Sequence, residues 1–272
     1  MIEEDMNQDN KITVILPTLN EEENLRLLIP EIVNLLEDEL DIEYEVIVVD
    51  DGSTDMTEGF INELMKKNTS IKFLLRTNEK SLPLSILEGI NNAAHEHVMW
   101  LDADGSMTPL AMGRLLRTYF EHYNSGHEKV IIGSRFVEGG GYKGVKDVKN
   151  QSIISSIKNV RQSNDSVFGM LLSILINKLL STLFRTKLTD LTSGFIVLRK
   201  DFIDPKVFEN KEYGEYFIYL IGSLIKKEIS IMEVGYICET RLHGYSKTGS
   251  GIIKFIIRGI PYIKAAFYKG ER

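Results

Sequence analysis

The chain has 272 residues, with 32 Lys and Arg against 39 Asp and Glu, for a formal net charge of −7. Its 43% hydrophobic content is enough to build one large domain or two small ones, while the acidic balance argues against nucleic acid as a partner, which would need a basic footprint. The single cysteine, Cys238, excludes an internal disulfide and suits a reducing compartment, and the five histidines form no zinc-type pattern.

Residues 1–10 are polar and acidic, a tail rather than a secretory leader. A short β-branched strand is predicted at Lys11–Leu16, stopping at Pro17-Thr-Leu-Asn20. Glu21–Leu36 follows as an amphipathic helix, with Leu25, Leu28, Ile32 and Leu35/Leu36 at helical spacing and acidic residues in its first turn. The pattern then repeats: strand Tyr44–Val49, helix Met56–Lys67, strand Ile71–Leu75, helix Leu82–Ala94 and strand Val98–Leu101. Strands separated by helices of this length imply parallel pairing with right-handed crossovers, hence a Rossmann-like α/β sheet.

Polar clusters close three of these strands: Pro17-Thr-Leu-Asn-Glu21, Asp50-Asp-Gly-Ser53 and Asp102-Ala-Asp104. Parallel pairing lines them along one sheet edge, where ligands of open α/β sheets bind. Any one cluster can be ordinary helix capping, as for Asn20, Thr54 or Asp55. Asp50 and Asp51, however, repel each other unless a cation or donor-rich group such as an NH-bearing nucleobase satisfies them. Side chains at i and i+2 share one side of an extended backbone, so Asp102 and Asp104 can hold one hard divalent cation, Mg²⁺ or Mn²⁺. The chain lacks G-x-G-x-x-G and G-x-x-x-x-G-K-[ST], which argues against a dehydrogenase or a P-loop NTPase.

Lys and Arg become frequent from Lys143 onward. Val167–Phe184 is nearly all aliphatic, but Ser173, Asn177 and Ser181 draw a polar stripe, joined by Lys178. Two readings stand, a buried core helix or a membrane-facing one. Ile252–Tyr268 collects Ile252, Phe255, Ile256, Ile260, Ile263 and Phe267 on one face and Lys254, Arg258 and Lys269 on the other, interrupted by Pro261. This basic amphipathic segment suits either a membrane surface or docking onto its own domain.

Ile15-Leu-Pro-Thr-Leu-Asn-Glu-Glu-Glu-Asn24, Val48-Val-Asp-Asp-Gly-Ser-Thr-Asp55, Asp102-Ala-Asp104, Gly133-Ser-Arg-Phe136, Asp190-Leu-Thr-Ser-Gly-Phe195 and Arg241-Leu-His-Gly-Tyr-Ser-Lys247 occur here in one order. In that order they resemble family 2 glycosyltransferases of the GT-A fold, above all dolichyl-phosphate mannose synthases and related polyprenyl-phosphate hexose transferases. The resemblance covers about residues 11–250. It implies a three-layer α/β sandwich with a mostly parallel central sheet; the basic amphipathic segment read above from its residues adds a C-terminal helical extension over 251–272. By resemblance, Pro17, Leu19 and Glu21 line the base and ribose, Asp50 with Asp51 accepts from the base, and Ala103 lies against the ribose. Asp102 and Asp104 match the metal site, Arg135 an arginine on the acceptor-phosphate side, and Arg241 and Lys247 basic residues of a flap over the diphosphate. The chain departs from the family in having Leu19 in place of an aromatic, Gly105-Ser106 in place of Gln or His, Ile196 in place of Arg, and a longer, more polar stretch over 142–166.

The implied activity is inverting, metal-dependent transfer of a hexose from a nucleoside diphosphate sugar, such as GDP-mannose or UDP-glucose, to a polyprenyl or dolichyl phosphate. The two apolar stretches, read with this activity, suggest a peripheral position at the cytoplasmic face of a membrane. The residues agree with it. A leaving diphosphate needs neutralising by a metal and by Arg or Lys, and a phosphate monoester acceptor, largely dianionic near neutral pH, needs no general base. It does need cationic anchors, which Arg135, Lys158 and Arg161 can supply. Two alternatives remain: a sugar-hydroxyl acceptor, for which Glu215 is the best base, and a non-catalytic sugar-nucleotide-binding scaffold, disfavoured because both metal-site aspartates are present.

Overall fold

The computed structural model describes residues 10–142, 145–146, 167–209, 211, 213–240, 261–262 and 264–265. The elements run β1 (Lys11–Thr18), α1 (Glu22–Asn34, continued by a π-helical turn at Leu35–Glu39), β2 (Glu43–Asp50), α2 (Thr57–Met65), β3 (Ile71–Leu75), α3 (Leu82–Asn92), β4 (His97–Trp100) and α4 (Pro109–Asn124). Then come β5 (Val130–Ser134), two-residue strands β6 (Gly141–Tyr142) and β7 (Val145–Lys146), α5 (Val167–Leu183), β8 (Ile196–Arg199), α6 (Tyr216–Lys226), β9 (Ile231–Gly235) and β10 (Ile237–Cys238). The seven-stranded sheet has the order β3-β2-β1-β4-β8-β5-β9. Every pair is parallel except those of β8, which runs antiparallel between β4 and β5.

The predicted α/β sandwich with its mostly parallel sheet is therefore observed, and each predicted strand and helix up to Trp100 lies within two residues of its observed bounds. The central strands are buried on both faces, so their sequences read as unbroken apolar runs. Along β1, Ile12, Val14 and Leu16 enter one core layer with α1, α2 and α4. Ile15 enters the other, with α3 and α6. Serine and threonine begin two of the helices: Ser81 accepts from the Leu84 N–H at 3.4 Å and Thr108 from the Ala111 N–H at 3.3 Å, each followed by proline within the first two helical positions.

His97 opens β4 inside an aromatic box on α4, with ring centroids of Tyr119, Phe120 and Tyr123 at 5.4, 5.6 and 4.5 Å. Its Nδ1 lies 2.8 Å from the Tyr119 hydroxyl. Burial lowers its pKa below the ordinary histidine value, against the opposing pull of Glu96. The unfolded chain therefore takes up the proton first as pH falls. Stability that is complete above about pH 6.5 is lost progressively below it. The urea midpoint is expected to drop between about pH 7.5 and about pH 5.5, and His97→Phe to flatten that slope. An equal slope in the variant would exclude His97 as its source.

Candidate active site

The carboxyl ends of β1, β2 and β4 form one edge, as the sequence predicted, and Pro17 shows why it is open. Asp51 N–H donates to Thr18 O at 2.9 Å, toward β2, and Leu101 N–H to Ile15 O at 3.4 Å, toward β4. Backbone groups alternate sides along a strand, so the missing Pro17 N–H faces β4, beyond that strand's end at Trp100. Proline is tolerated inside β1 because no partner remains there. Beyond it, Leu19 is half-buried and Asn20 takes a positive φ of 54°. Glu21 Oε2 accepts from Asn24 Nδ2 at 2.6 Å. Asn20 also staples this loop to the next one: its N–H donates to Ser53 Oγ at 2.8 Å and its Oδ1 accepts from the Thr54 N–H at 2.7 Å.

The adjacent carboxylates at the end of β2 are separated by their partners. Asp50 Oδ1 accepts from the Ser53 N–H at 2.9 Å and the Ser53 hydroxyl at 2.7 Å. Asp51 turns the other way, into a buried ion pair with Arg76, and its Oδ2 accepts from the Ser81 N–H at 2.6 Å. Arg76 Nη1 also donates to Ser85 Oγ at 3.2 Å and Nη2 to Glu79 O at 3.3 Å. Of the two kinds of partner the sequence left open, a cation or a donor-rich group such as a nucleobase, Asp51 has the cation, Arg76. Arg76 stands 25 residues away and carries no motif, so no sequence signal pointed to it.

The aspartate pair lies past the end of β4, which corrects its derivation from strand alternation. β4 ends at Trp100, Asp102 follows it outside the strand, and the chain turns through residues 103–107, with Gly105 at φ 78°. Asp102 is exposed, whereas Asp104 is 5% exposed and its Oδ1 accepts from the Ser106 N–H at 2.9 Å. Ser106, one of the two residues standing in place of Gln or His in the family the sequence resembles, anchors the turn: its carbonyl accepts from the Glu239 N–H at 3.0 Å. Among the described residues no group of three His, Cys, Asp or Glu side chains converges. Two carboxylates are nonetheless the usual protein share of an Mg²⁺ site, the rest coming from waters and substrate phosphates. A hard, all-oxygen donor set at this edge fits Mg²⁺ or Mn²⁺. Ala103, between the two, is 3% exposed.

Across the edge sits Arg135, one residue past β5. Its Nε donates to Asp190 Oδ2 at 2.7 Å, its Nη2 to Asp190 Oδ1 at 2.8 Å and to Thr192 Oγ1 at 3.0 Å, and its backbone N–H to Asp190 Oδ2 at 3.0 Å. Burial opposes its charge, but the fully buried Asp190 outweighs that and holds the guanidinium more firmly protonated than an ordinary arginine. Glu233 on β9 fixes the same loop from below, accepting from the Thr189 N–H at 2.9 Å and the Asp190 N–H at 2.8 Å. Glu215, the sequence's base candidate, is buried at the start of α6 and accepts from the Tyr213 N–H at 3.0 Å. Tyr262 packs its hydroxyl against Gly214. Its pKa is raised by burial, then by Tyr213 and Glu215.

Helix α5 completes this wall with its polarity inverted. The predicted polar stripe faces the protein: Asn177 is 2% exposed, and Ser181 Oγ donates to Thr186 O at 2.8 Å. Opposite it, Leu175, Leu179 and Leu183 are 64%, 42% and 37% exposed, with Lys178, Arg185 and Lys187 also at the surface. Leu180 and part of Ile176 join the core. No helix among the described residues is long and apolar enough to cross a membrane. The C-terminal segment docks onto the domain at its described residues, where Ala265 is buried and Tyr262 lines the same core. Lys158, Arg161, Arg241, Lys247 and the remainder of the expected helix over 251–272 lie outside the described residues. Ile196, standing where the family carries arginine, is a fully buried residue of β8. Asp190 was visible as part of a motif, but its grip on Arg135 was not.

Residues 13–204 match the family model described as glycosyl transferase family 2. Among characterised proteins the chain is similar to a dolichol-phosphate mannosyltransferase of Pyrococcus furiosus, at 30% identity over 90% of this chain and 62% of that protein. It is also similar to a polyprenol monophosphomannose synthase of Mycolicibacterium smegmatis, at 28% identity over 88% of this chain and 82% of that one. The chain thus spans less than two thirds of the Pyrococcus relative's length. Among solved structures, glucosyl-3-phosphoglycerate synthase from Mycobacterium tuberculosis, in complex with Mn²⁺, UDP and glucosyl-3-phosphoglycerate, superposes with a TM-score of 0.61. That match has 16% identity and covers 94% of this chain and 78% of the other.

Proposed function

Because the chain belongs to glycosyl transferase family 2, we propose that it moves a hexose from a nucleoside diphosphate sugar to a polyprenyl or dolichyl phosphate at a membrane surface. The observation that carries the acceptor assignment is the inverted helix α5. Leucines at i, i+4 and i+8 face outward with Lys178, Arg185 and Lys187 among them, while the polar stripe reaches inward to the loop holding Arg135. An exposed apolar stripe fringed by cations suits the interface of an anionic lipid surface. The cytoplasmic face, where nucleotide sugars are available, is the side proposed.

The residues divide the chemistry. Asp50, with Ser53 on one oxygen, takes an N–H of the base, beside Pro17, Leu19 and Glu21; Asp51 fixes the loop through Arg76. Asp102 and Asp104 would hold Mg²⁺ or Mn²⁺, which when bound neutralises the diphosphate, and Ala103 lies against the ribose. Arg241 and Lys247 are proposed to cover that diphosphate. Arg135 orients the acceptor phosphate, one oxygen of which attacks the anomeric carbon. The new C–O bond forms as the old one breaks, the electron pair leaves on the nucleoside diphosphate, and the configuration inverts. No proton needs removing from a phosphate dianion.

Glu215 favours a second reading with the same donor half. Buried at the start of α6, its carboxylate is the group that would deprotonate a sugar hydroxyl acceptor. Radiolabelled nucleotide sugar incubated with the chain, Mn²⁺ and membranes, which offer both polyprenyl phosphate and glycolipid hydroxyls, distinguishes them. Label extracted into organic solvent and released by mild acid is expected. Label recovered only in an acid-stable product would overturn the phosphate acceptor in favour of the hydroxyl.

A further inference from the structure

The hydroxyl of Thr192 is the junction between α5 and the acceptor arginine. A hydroxyl has one proton to give and two lone pairs, and here all three are used. Thr192 Oγ1 accepts from Arg135 Nη2 at 3.0 Å and from Asn177 Nδ2 at 2.9 Å, and it donates to Asp190 Oδ1 at 3.2 Å. Asn177 is satisfied on its own side too: Nδ2 also donates to Ser173 O at 3.0 Å, and Oδ1 accepts from the Leu191 N–H at 2.7 Å. Asparagine is a poor helix former, and an amide 2% exposed in the middle of a helix is costly unless bonded. Packing alone would favour leucine at this position, whose neighbour one turn on, Leu180, is itself buried in the core.

We propose that Asn177 is a positioning residue for the acceptor half of the reaction, setting the Arg135 guanidinium through Thr192. By donating to the hydroxyl, Asn177 forces the Thr192 proton onto Asp190 and leaves a lone pair for Arg135 Nη2. Without that donor the hydroxyl is free to rotate, and the guanidinium loses its third fixed contact while keeping its two-pronged grip on Asp190. The defect is then one of aim, felt by the group that Arg135 holds and not by the nucleotide base and ribose, whose proposed residues cluster at the carboxyl ends of β1, β2 and β4.

The inference rests on the phosphate-acceptor reading, and the test separates the two. Steady-state transfer to a short-chain polyprenyl phosphate is measured for the parent, Asn177→Leu, Thr192→Val and the double variant, varying donor and acceptor in turn. Each single variant is expected to raise the acceptor KM by about tenfold, the scale of one hydrogen bond to a charged network, with the donor KM unchanged. The double variant should be no worse than either single one, since both break the same junction. Asn177→Asp, which keeps the acceptor toward Leu191 but cannot donate, should behave like Asn177→Leu. Equal changes in donor and acceptor KM, full activity in Asn177→Asp, or additive effects would overturn the proposal. If Asn177→Leu does not fold, Thr192→Val decides alone: an unaltered acceptor KM overturns it. A parent that transfers nothing to polyprenyl phosphate removes the functional reading and this inference with it.

Discussion

Asp104→Asn is expected to lower kcat for sugar transfer by about 10³-fold while leaving the thermal midpoint within ~2 °C of the parent. The two halves of this expectation come from different atoms. The fold uses Asp104 as an acceptor, its Oδ1 taking the Ser106 N–H at 2.9 Å, and an amide oxygen of the same shape still accepts there. The chemistry would use the negative charge, which an amide lacks. With Asp102 left alone at the edge, the turn loses half the carboxylate charge that would hold a divalent cation against a diphosphate. Single-turnover transfer with a Mn²⁺ titration reads both effects, the expected variant needing far more metal for what activity remains. Unchanged kcat at the parent's metal concentration would remove Asp104 from the site.

The first hundred residues were legible because their physics is local. Runs such as Val46–Val49 are buried on both faces of a parallel sheet and stay apolar throughout, while the intervening helices keep a helical period. The strand-end clusters followed from the same logic, since parallel pairing gathers them without knowledge of the partners. What escaped depends on distant contacts. β8 is four residues long, and only its neighbours β4 and β5 give it an antiparallel course. Asp51 looked like a ligand because Arg76, which neutralises it, is far away in sequence. The stripe of Ser173, Asn177 and Ser181 was visible, but periodicity says only that two faces differ. Thr192, Leu191 and Thr186 are what turn the polar face inward.

Asp190→Ala should be among the most destabilising single substitutions in the chain, at about 3–5 kcal/mol by urea denaturation. Two nitrogens of the Arg135 side chain, its backbone N–H, the Thr192 N–H and the Thr192 hydroxyl all converge on this one carboxylate. The Arg135 side chain is only 13% exposed, so removing Asp190 leaves a nearly dehydrated guanidinium without the carboxylate that offsets its burial. That stranded charge, more than the lost bonds, sets the magnitude, and it makes a second measurement informative. Replacing both members, Arg135→Leu with Asp190→Leu, removes the charge along with its partner and should recover a good part of the lost stability, because buried ion pairs are often matched by apolar residues of similar volume. Transfer activity should not return with it, since the pair's proposed task is to aim a cation at the acceptor phosphate. A double variant no more stable than Asp190→Ala would shift the cause to the loop's backbone bonds. Recovery of both stability and transfer would show that Arg135 serves the fold and not the acceptor.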